Sequence, residues 1–154
     1  MKKIILVRSN QIQSDSRVEK YLSFYESNGF QYEIIAWDRN NTGIEMKNVH
    51  YYRRKVGYVV GGLKAAFNRI FWFRYVVREL RRYKEKNLFI HACDLDTAFP
   101  AVLYKEFCNK NAYILFDVFD WMSADIQASS NGIVRKSILW MEAKCLKWCN
   151  KLIV

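Results

Sequence analysis

Residues that can transfer protons or bind metal ions lie together in the stretch HACDLDTAFP, residues 91–100. His91 directly follows the mainly apolar run NLFI, residues 87–90, and Asp94 and Asp96 come a few positions later. A histidine can act as an acid, a base or a hydroxyl ligand, because its pKa lies near neutrality. His91 and Asp94 could also bind a metal, but they lack a third and a fourth ligand, so we expect no metal site. One aspartate can instead cap the next helix, and Asp96 lies nearest to it.

A second polar group lies in the stretch FDVFDW, residues 116–121. Asp117 and Asp120 stand at the end of a predicted strand, where a carboxylate can orient sugar hydroxyls or abstract a proton. Asp117 could equally cap or brace a loop. Trp121 resembles a platform on which a sugar ring stacks, although a tryptophan that fills the core fits the sequence as well.

A third polar group lies in SDSRVEK, residues 14–20, at the start of a predicted helix. Ser14 or Asp15 can cap that helix, and its N-terminus with Arg17 can attract phosphate. The stretch contains no GxGxxG motif, which counts against a site for NAD or FAD.

The elements that position these groups alternate between strand and helix. Apolar runs predict strands over 2–7, 31–37, 49–54, 87–93, 112–120 and 151–154. Helical periodicity and stop signals such as Gly29 predict helices over 17–29, 62–86, 96–108 and 134–150. This order predicts an α/β fold, a Rossmann-like three-layer sandwich with a mostly parallel sheet of about six strands. Such sheets bind ligands beyond the carboxyl ends of their strands, so four segments should meet at one edge: Asp15, 37–39, 91–96 and 117–121.

The net charge of +10 favours an anionic partner, either a nucleic acid, a phosphorylated small molecule or an anionic membrane. No nucleic-acid-binding motif is visible, so we expect no nucleic-acid partner. The basic, aromatic-rich helix predicted over 62–86 can pack on the core with a solvated arginine face, or it can contact a membrane surface. The predicted apolar stripe is Leu63, Phe67, Ile70, Phe73, Val77 and Leu80. The predicted membrane contacts are Arg69, Phe71, Trp72, Arg74, Arg78 and Arg82.

Length and cysteine content set further limits. A chain of 154 residues fits one domain with a substantial core. Of its four cysteines only Cys145 and Cys149 lie close together, and free thiols in a reducing cytoplasm are the expected state. The start MKKIILV is too short for a signal peptide, and no apolar stretch could span a bilayer. Because the sequence stops directly after a predicted strand, we expect half of a larger molecule.

Four stretches, taken in order, resemble the N-terminal domain of a GT-B glycosyltransferase of the family 4 type, as found in bacterial capsule and exopolysaccharide assembly. The resemblance covers nearly the whole chain. It implies a two-domain enzyme that needs no metal or cofactor and retains the anomeric configuration. The N-terminal domain of such enzymes binds the acceptor, often a lipid-linked sugar, and is frequently docked on the membrane by a basic helix. The matching stretches are residues 14–39, 90–107, 113–125 and 142–154.

The resemblance also assigns roles to individual residues. Many members of the family carry histidine between the two aspartates that match Asp117 and Asp120, whereas this chain has Phe119, which cannot hydrogen-bond a hydroxyl. Asp120 or His91 would then make that contact. The expected catalytic residues are Asp120 and His91, and the expected acceptor-binding residues are Asp15, Arg17, Asp94, Asp117 and Trp121.

We therefore expect residues 1–154 to form a single acceptor-binding domain, with the donor-binding domain absent from this chain. The expected partners are a saccharide or lipid-linked saccharide acceptor, a nucleotide-sugar that binds mainly to the absent domain, and the anionic inner surface of the cell membrane. The expected location is the cytoplasm, peripheral to that membrane. The alternative is a non-enzymatic α/β module that binds anionic lipid or a phosphorylated partner.

Overall fold

The computed structural model describes residues 3–13, 15–55, 63–122 and 132–154. Within these ranges strands and helices alternate along the chain, as the apolar periodicity predicts. The elements are β1 (Lys3–Arg8), α1 (Ser16–Ser27), β2 (Gln31–Asp38), β3 (Val49–Arg53), α2 (Leu63–Leu80), β4 (Phe89–Cys93), α3 (Leu95–Phe107), β5 (Tyr113–Asp117), α4 (Gly132–Trp148) and β6 (Lys151–Ile153).

The strands form one sheet in the order β3-β2-β1-β4-β5-β6, and every neighbouring pair is parallel. The chain starts at the centre of the sheet, moves outward to β3, and returns to place β4 on the other side of β1. The prediction of a Rossmann-like α/β fold is thus confirmed. The chain reverses direction between β1 and β4, and doubly wound sheets bind ligands at the carboxyl ends of strands at such a switch point.

Helices cover both faces of the sheet, as a parallel sheet with buried central strands requires. On one face, Ile4 and Leu6 of β1 pack with Val18 and Tyr25 of α1. The alternate residues of β1 point to the other face, where Ile5 belongs to a larger cluster that includes side chains of α2, α3 and α4. The core therefore consists of two clusters separated by the sheet.

The ends of α1 follow the predicted signals. The Asp15 carboxylate accepts a hydrogen bond from the Val18 amide at 3.3 Å and so caps the helix. Gly29 follows the end of the helix with φ of 69°, a left-handed conformation that favours glycine. Ser14, the alternative cap, and Gly62, the predicted start of α2, lie outside the described residues.

The predicted apolar stripe of α2 is correct at Phe73 and Leu80, which pack on the core, but wrong at Phe67 and Ile70. The membrane contact assigned to Trp72 is also wrong. Phe67 and Ile70 are exposed, whereas Trp72 and Val76 are fully buried. Trp72 stacks on Trp37 with ring centroids 5.4 Å apart. The helix itself carries large apolar residues on all of its sides, so periodicity alone does not indicate which face packs inward.

The polar contact of Trp72 and the end of α2 also differ from the prediction. The indole N–H of Trp72 donates to the Asp96 carbonyl at 3.0 Å, which satisfies the only polar atom of the ring in the core. The helix ends at Leu80, itself fully buried, rather than at Lys86. The side chain of Leu63 is not among those described.

Replacing Trp72 by alanine should lower the free energy of unfolding by about 3–5 kcal/mol, because the change leaves a large cavity in the core. The matched control is Phe71→Ala one position earlier, which removes an exposed ring and should cost less than about 1 kcal/mol. Urea unfolding followed by circular dichroism measures both. Equal losses in the two variants would contradict the placement of α2.

Candidate functional site

The polar segments predicted to converge do meet at the carboxyl edge of the sheet. Arg8 ends β1, Cys93 ends β4 and Asp117 ends β5, and residues 8, 93 and 117 lie side by side in register. Hydrogen bonds and ion pairs then link the loops that follow these strands. The edge is therefore one connected polar region at the carboxyl ends of β1, β4 and β5.

Arg8 stands at the centre of this region. Its Nε donates to Asp15 Oδ2 at 2.8 Å, and its Nη1 donates to Asp94 Oδ2. Burial by itself lowers the pKa of Arg8, but the charges of Asp94 and Asp15 outweigh this effect and raise it. Arg8 is absent from the residues predicted to act at the site. The signal for it is its position, as the last residue of the first strand before a polar loop.

Asp94 bridges the loops after β4 and β5. Its Oδ1 accepts the backbone N–H of Phe119 at 2.9 Å and that of Asp120 at 3.3 Å. Its backbone has φ of 72°, and its side chain makes no capping hydrogen bond to α3. Burial raises the pKa of Asp94, although the Phe119 amide and Arg8 act in the opposite direction.

Asp96 is not the cap of α3, contrary to the prediction. It lies inside the first turn, buried, and its Oδ1 accepts the Ser9 hydroxyl at 2.8 Å. Arg39 of the predicted edge segment 37–39 contacts the same carboxylate, with Nη2 3.4 Å from Oδ2. The neighbouring Asp38 closes its own loop by accepting the Thr42 amide at 3.1 Å. These residues therefore brace the edge.

A buried chain of hydrogen bonds runs beneath α1. The Tyr25 hydroxyl contacts His91 Nδ1 at 2.5 Å, His91 Nε2 contacts Asp117 Oδ2 at 3.3 Å, and the Tyr21 hydroxyl donates to the same oxygen at 2.6 Å. An Nε2–H tautomer fits both contacts of His91, because a carboxylate only accepts. Burial tends to raise the pKa of Asp117, but the hydrogen bonds from His91 and Tyr21 lower it overall.

The burial of this hydrogen-bonded chain corrects the ligand contacts expected of His91 and Asp117. His91 is 1% exposed and Asp117 is 0% exposed, so neither side chain reaches the surface of the edge. Both instead support the residues above them. Tyr21 and Tyr25 are missing from the predicted site, because their positions on the inner face of α1 indicate only core packing.

Phe119, the residue in the place of the family's histidine, lies between two guanidinium groups. The Arg8 and Arg17 guanidinium carbons lie 4.3 and 4.2 Å from its ring centroid, a cation–π arrangement. Arg17 Nη1 is 3.8 Å from the buried Asp117 Oδ1, an ion pair that is too long for a hydrogen bond. The Arg17 side chain is 47% exposed, so its N–H groups can reach a ligand.

Asp120 and Trp121 differ in how far they reach solvent. Asp120 is exposed at the carboxyl edge, as the catalytic assignment requires. Trp121 is half-buried and packs partly against the main core cluster, which favours the core-filling interpretation of this side chain. Asp120 and Arg17 are thus the predicted site residues that are open to a ligand.

Within the part of the chain that the structure describes, His91, Cys93 and Asp117 are the group that could hold a metal ion, with one ligand atom from each within 4.8 Å of the others. Both nitrogens of His91 are engaged in hydrogen bonds. Burial raises the pKa of Cys93 well above its usual value, which keeps the thiol protonated, whereas a metal binds the thiolate. These donors therefore do not fit a metal without dismantling the hydrogen-bonded chain.

Apart from the buried Trp72, the predicted membrane contacts lie on the outer surface of α2 and, for Arg82, just after its end. Phe71 and Arg74 are exposed and Arg69 is half-buried. Arg78 and Arg82 are also exposed, but both pair with the buried Glu79, at 3.1 and 2.5 Å. Among the described residues no helix is long and apolar enough to cross a membrane.

The strand order and the polar edge define a Rossmann-like domain with a candidate site at its switch point. A solved structure with a similar fold is that of MurG from Acinetobacter baumannii, a GT-B glycosyltransferase, at a TM-score of 0.52 and 12% identity. The match covers 99% of this chain and 40% of that chain. No family model matches the sequence, and the search of curated proteins finds no match. The likeness supports a GT-B-like fold.

Replacing Asp117 by asparagine should lower the free energy of unfolding at pH 7 by about 1–3 kcal/mol, since a charged hydrogen-bond acceptor is lost. The folded-state pKa of Asp117 is lowered below its unfolded value of about 3.9, so its ionised form stabilises the fold above that pH. This contribution is lost as the pH falls through the lowered pKa. The difference between wild type and Asp117→Asn should therefore shrink towards pH 3.

Urea unfolding at a series of pH values from 7 to 3 measures this difference. Asp120→Asn is the matched control, because that carboxylate is exposed and should affect stability little. A difference for Asp117→Asn that stays constant over the whole range would contradict the buried chain.

Proposed function

We propose that this chain is the acceptor-binding domain of a glycosyltransferase, which moves a sugar from a nucleotide-sugar donor to a saccharide acceptor. The observation that carries the proposal is the polar edge around Arg8, at the switch point of a sheet whose fold resembles that of MurG. Doubly wound sheets bind their ligands at this place. Carboxylate and guanidinium groups there suit the hydroxyl and ring oxygens of a sugar.

The exposed residues of the edge contact the acceptor in this proposal. The Asp120 carboxylate accepts a hydrogen bond from the hydroxyl that attacks the donor, and Arg17 donates to a neighbouring oxygen. Asp94 holds the backbone of residue 120 in place through its bond to that amide. His91 and Asp117 are positioning residues, because they are buried below Arg17 and Phe119.

Catalysis by such a domain is mainly an orientation effect. The attacking hydroxyl oxygen forms a bond to the anomeric carbon as the bond from that carbon to the nucleoside diphosphate breaks. The hydroxyl proton passes to the departing phosphate oxygen. Holding the hydroxyl against that carbon, on the side from which the diphosphate leaves, removes much of the entropic cost of the reaction. We propose that a second domain binds the donor diphosphate, and that transfer needs no metal and retains the anomeric configuration. A role in capsule or exopolysaccharide synthesis follows from the resemblance described above.

The acceptor in this proposal is lipid-linked, and the domain docks on the cytoplasmic face of the membrane. Support comes from the outer surface of α2, where exposed apolar side chains such as Phe67 and Phe71 adjoin Arg74 and Arg78. An open depression of about 910 Å³ next to this surface is lined by further arginine and aromatic side chains of β3 and α2. The same surface would serve a non-enzymatic module that binds anionic lipid.

Asp120→Asn and Arg17→Met should each lower kcat/KM of the transferase by about 10–100-fold, because each removes a contact to the acceptor. The assay uses the longest natural polypeptide that contains this chain, screened with nucleotide-sugars and lipid-linked acceptors. Glu19→Gln, on the exposed side of α1, is the control and should leave turnover unchanged. Urea unfolding confirms that all three variants fold.

Normal turnover in both site variants would overturn the assignment of Asp120 and Arg17. A polypeptide that binds anionic vesicles but transfers no sugar from any donor would instead favour the non-enzymatic module.

A further inference from the structure

The outer surface of α4 carries large apolar side chains that the proposed site does not use. Ile133 is 79% exposed and Trp140 is 54% exposed. They are seven residues apart, two helical turns, and so lie on the same side of the helix. An exposed apolar pair of this size on a helix is typical of a surface that contacts a partner.

The charges that α2 and α4 present to solvent are all positive. Each helix contains a single acidic residue, Glu79 in α2 and Glu142 in α4, and both are buried. Every other charged residue of the two helices is lysine or arginine. Lys144 lies 5.8 Å from the Trp140 ring centroid, so the cations and the apolar side chains share one surface. By contrast, α1 on the opposite face of the sheet exposes Glu19 and Glu26.

The two helices, α2 and α4, form ridges on either side of α3. Phe99 of α3 contacts Phe73 of α2 on one side and Trp140 of α4 on the other, with ring centroids 5.5 and 5.6 Å apart. Most of α3 is buried between its neighbours. A flat partner can therefore touch both ridges at once.

Both helices run in the same direction. Each connects the carboxyl end of one parallel strand to the amino end of another, so each begins at the carboxyl edge of the sheet. Phe67, Phe71, Ile133 and Trp140 lie no further than the middle of their helices. Most of the exposed apolar side chains are thus nearest to the edge that carries the candidate site, while Leu146 lies towards the other end of α4.

We propose that α4 is the second half of a docking surface for an anionic phospholipid bilayer. Ile133 and Trp140 enter the headgroup region beside the apolar residues of α2, while Lys136 and Lys144 meet lipid phosphates. This extends the membrane contact in the proposed function from one helix to two, and it rests on that function. It also orients the molecule, because the end of this surface nearest to Asp120 is its apolar end. The carboxyl edge then lies beside the bilayer surface, close to the sugar of a lipid-linked acceptor.

A bilayer fits these observations better than the other occupants. A nucleic acid would bind the cations, but it would not explain why the apolar side chains of Ile133 and Trp140 are exposed so close to them. A second copy of the chain would bring like charges together, because its own α2 and α4 carry the same exposed cations. A bilayer of anionic lipids satisfies both kinds of side chain on a flat surface.

The test is co-sedimentation with vesicles of phosphatidylcholine and phosphatidylglycerol. The double variant Ile133→Ser/Trp140→Ser should bind about tenfold more weakly than wild type, because two apolar side chains no longer enter the interface. The matched control is Phe24→Ser, which removes an apolar side chain that is 55% exposed on α1, on the opposite face of the sheet. This control should bind as wild type does.

A second variant keeps the test valid if the loss of Trp140 disturbs the fold. Lys136→Gln/Lys144→Gln should bind phosphatidylcholine vesicles as wild type does, but should lose most of the gain that phosphatidylglycerol gives. High salt should weaken wild type more than this variant. Urea unfolding shows whether each variant folds.

Three outcomes would overturn the proposal. In the first, both α4 variants bind vesicles as wild type does, and binding is lost only when Phe71 and Arg74 are replaced. That result would confine docking to α2. The second is equal binding of wild type to neutral and anionic vesicles, or none. The third is self-association of wild type without lipid that the double variant abolishes. Because the vesicle assay needs neither donor nor acceptor, its result is independent of whether the glycosyltransferase proposal fails.

Discussion

The candidate site depends on one guanidinium group, that of Arg8. Through Asp15 it holds the start of α1, and through Asp94 it holds the loop after β4. Asp94 in turn fixes the backbone at residues 119 and 120. Three segments that lie far apart in sequence are thus joined by one half-buried cation and two carboxylates. A charge that is partly removed from water is tolerated only where opposite charges and hydrogen bonds surround it, so these groups must fold together.

The same reasoning explains why the edge is divided into supporting and exposed groups. His91 and Asp117 have the chemistry of a catalytic pair, but below α1 their hydrogen bonds go to Tyr21, to Tyr25 and to each other, while Oδ1 of Asp117 has no hydrogen-bond partner among the described residues. A group whose partners are all inside the protein gives rigidity rather than contact with a ligand. Arg17 differs, since the Phe119 ring supports its guanidinium from one side and leaves its N–H groups free to meet solvent.

The sequence predicts the fold and the location of the site, but not the roles of its members. Alternating apolar runs suffice for the Rossmann-like sheet, and the carboxyl-edge rule then brings Asp15, Asp94 and Asp117 together. Neither rule describes contacts between distant residues. Ser9 takes the Asp96 carboxylate away from the cap of α3, and Trp37 selects Trp72 for the core from a helix with aromatic residues on every side. Which residue packs inward depends on partners that are far away in sequence.

The distribution of charge separates two kinds of partner. A net charge of +10 suggests at first that the site itself is basic. The edge is in fact the acidic part of the molecule, with six aspartates against three arginines, whereas α2 and α4 together hold eight basic residues and two buried acidic ones. An anion would be repelled from the first region and attracted to the second. We therefore expect a neutral, hydroxyl-rich ligand at the edge and an anionic surface against the helices, a division that suits a sugar presented at a membrane. The charged groups of the edge are Asp15, Asp38, Asp94, Asp96, Asp117, Asp120, Arg8, Arg17 and Arg39.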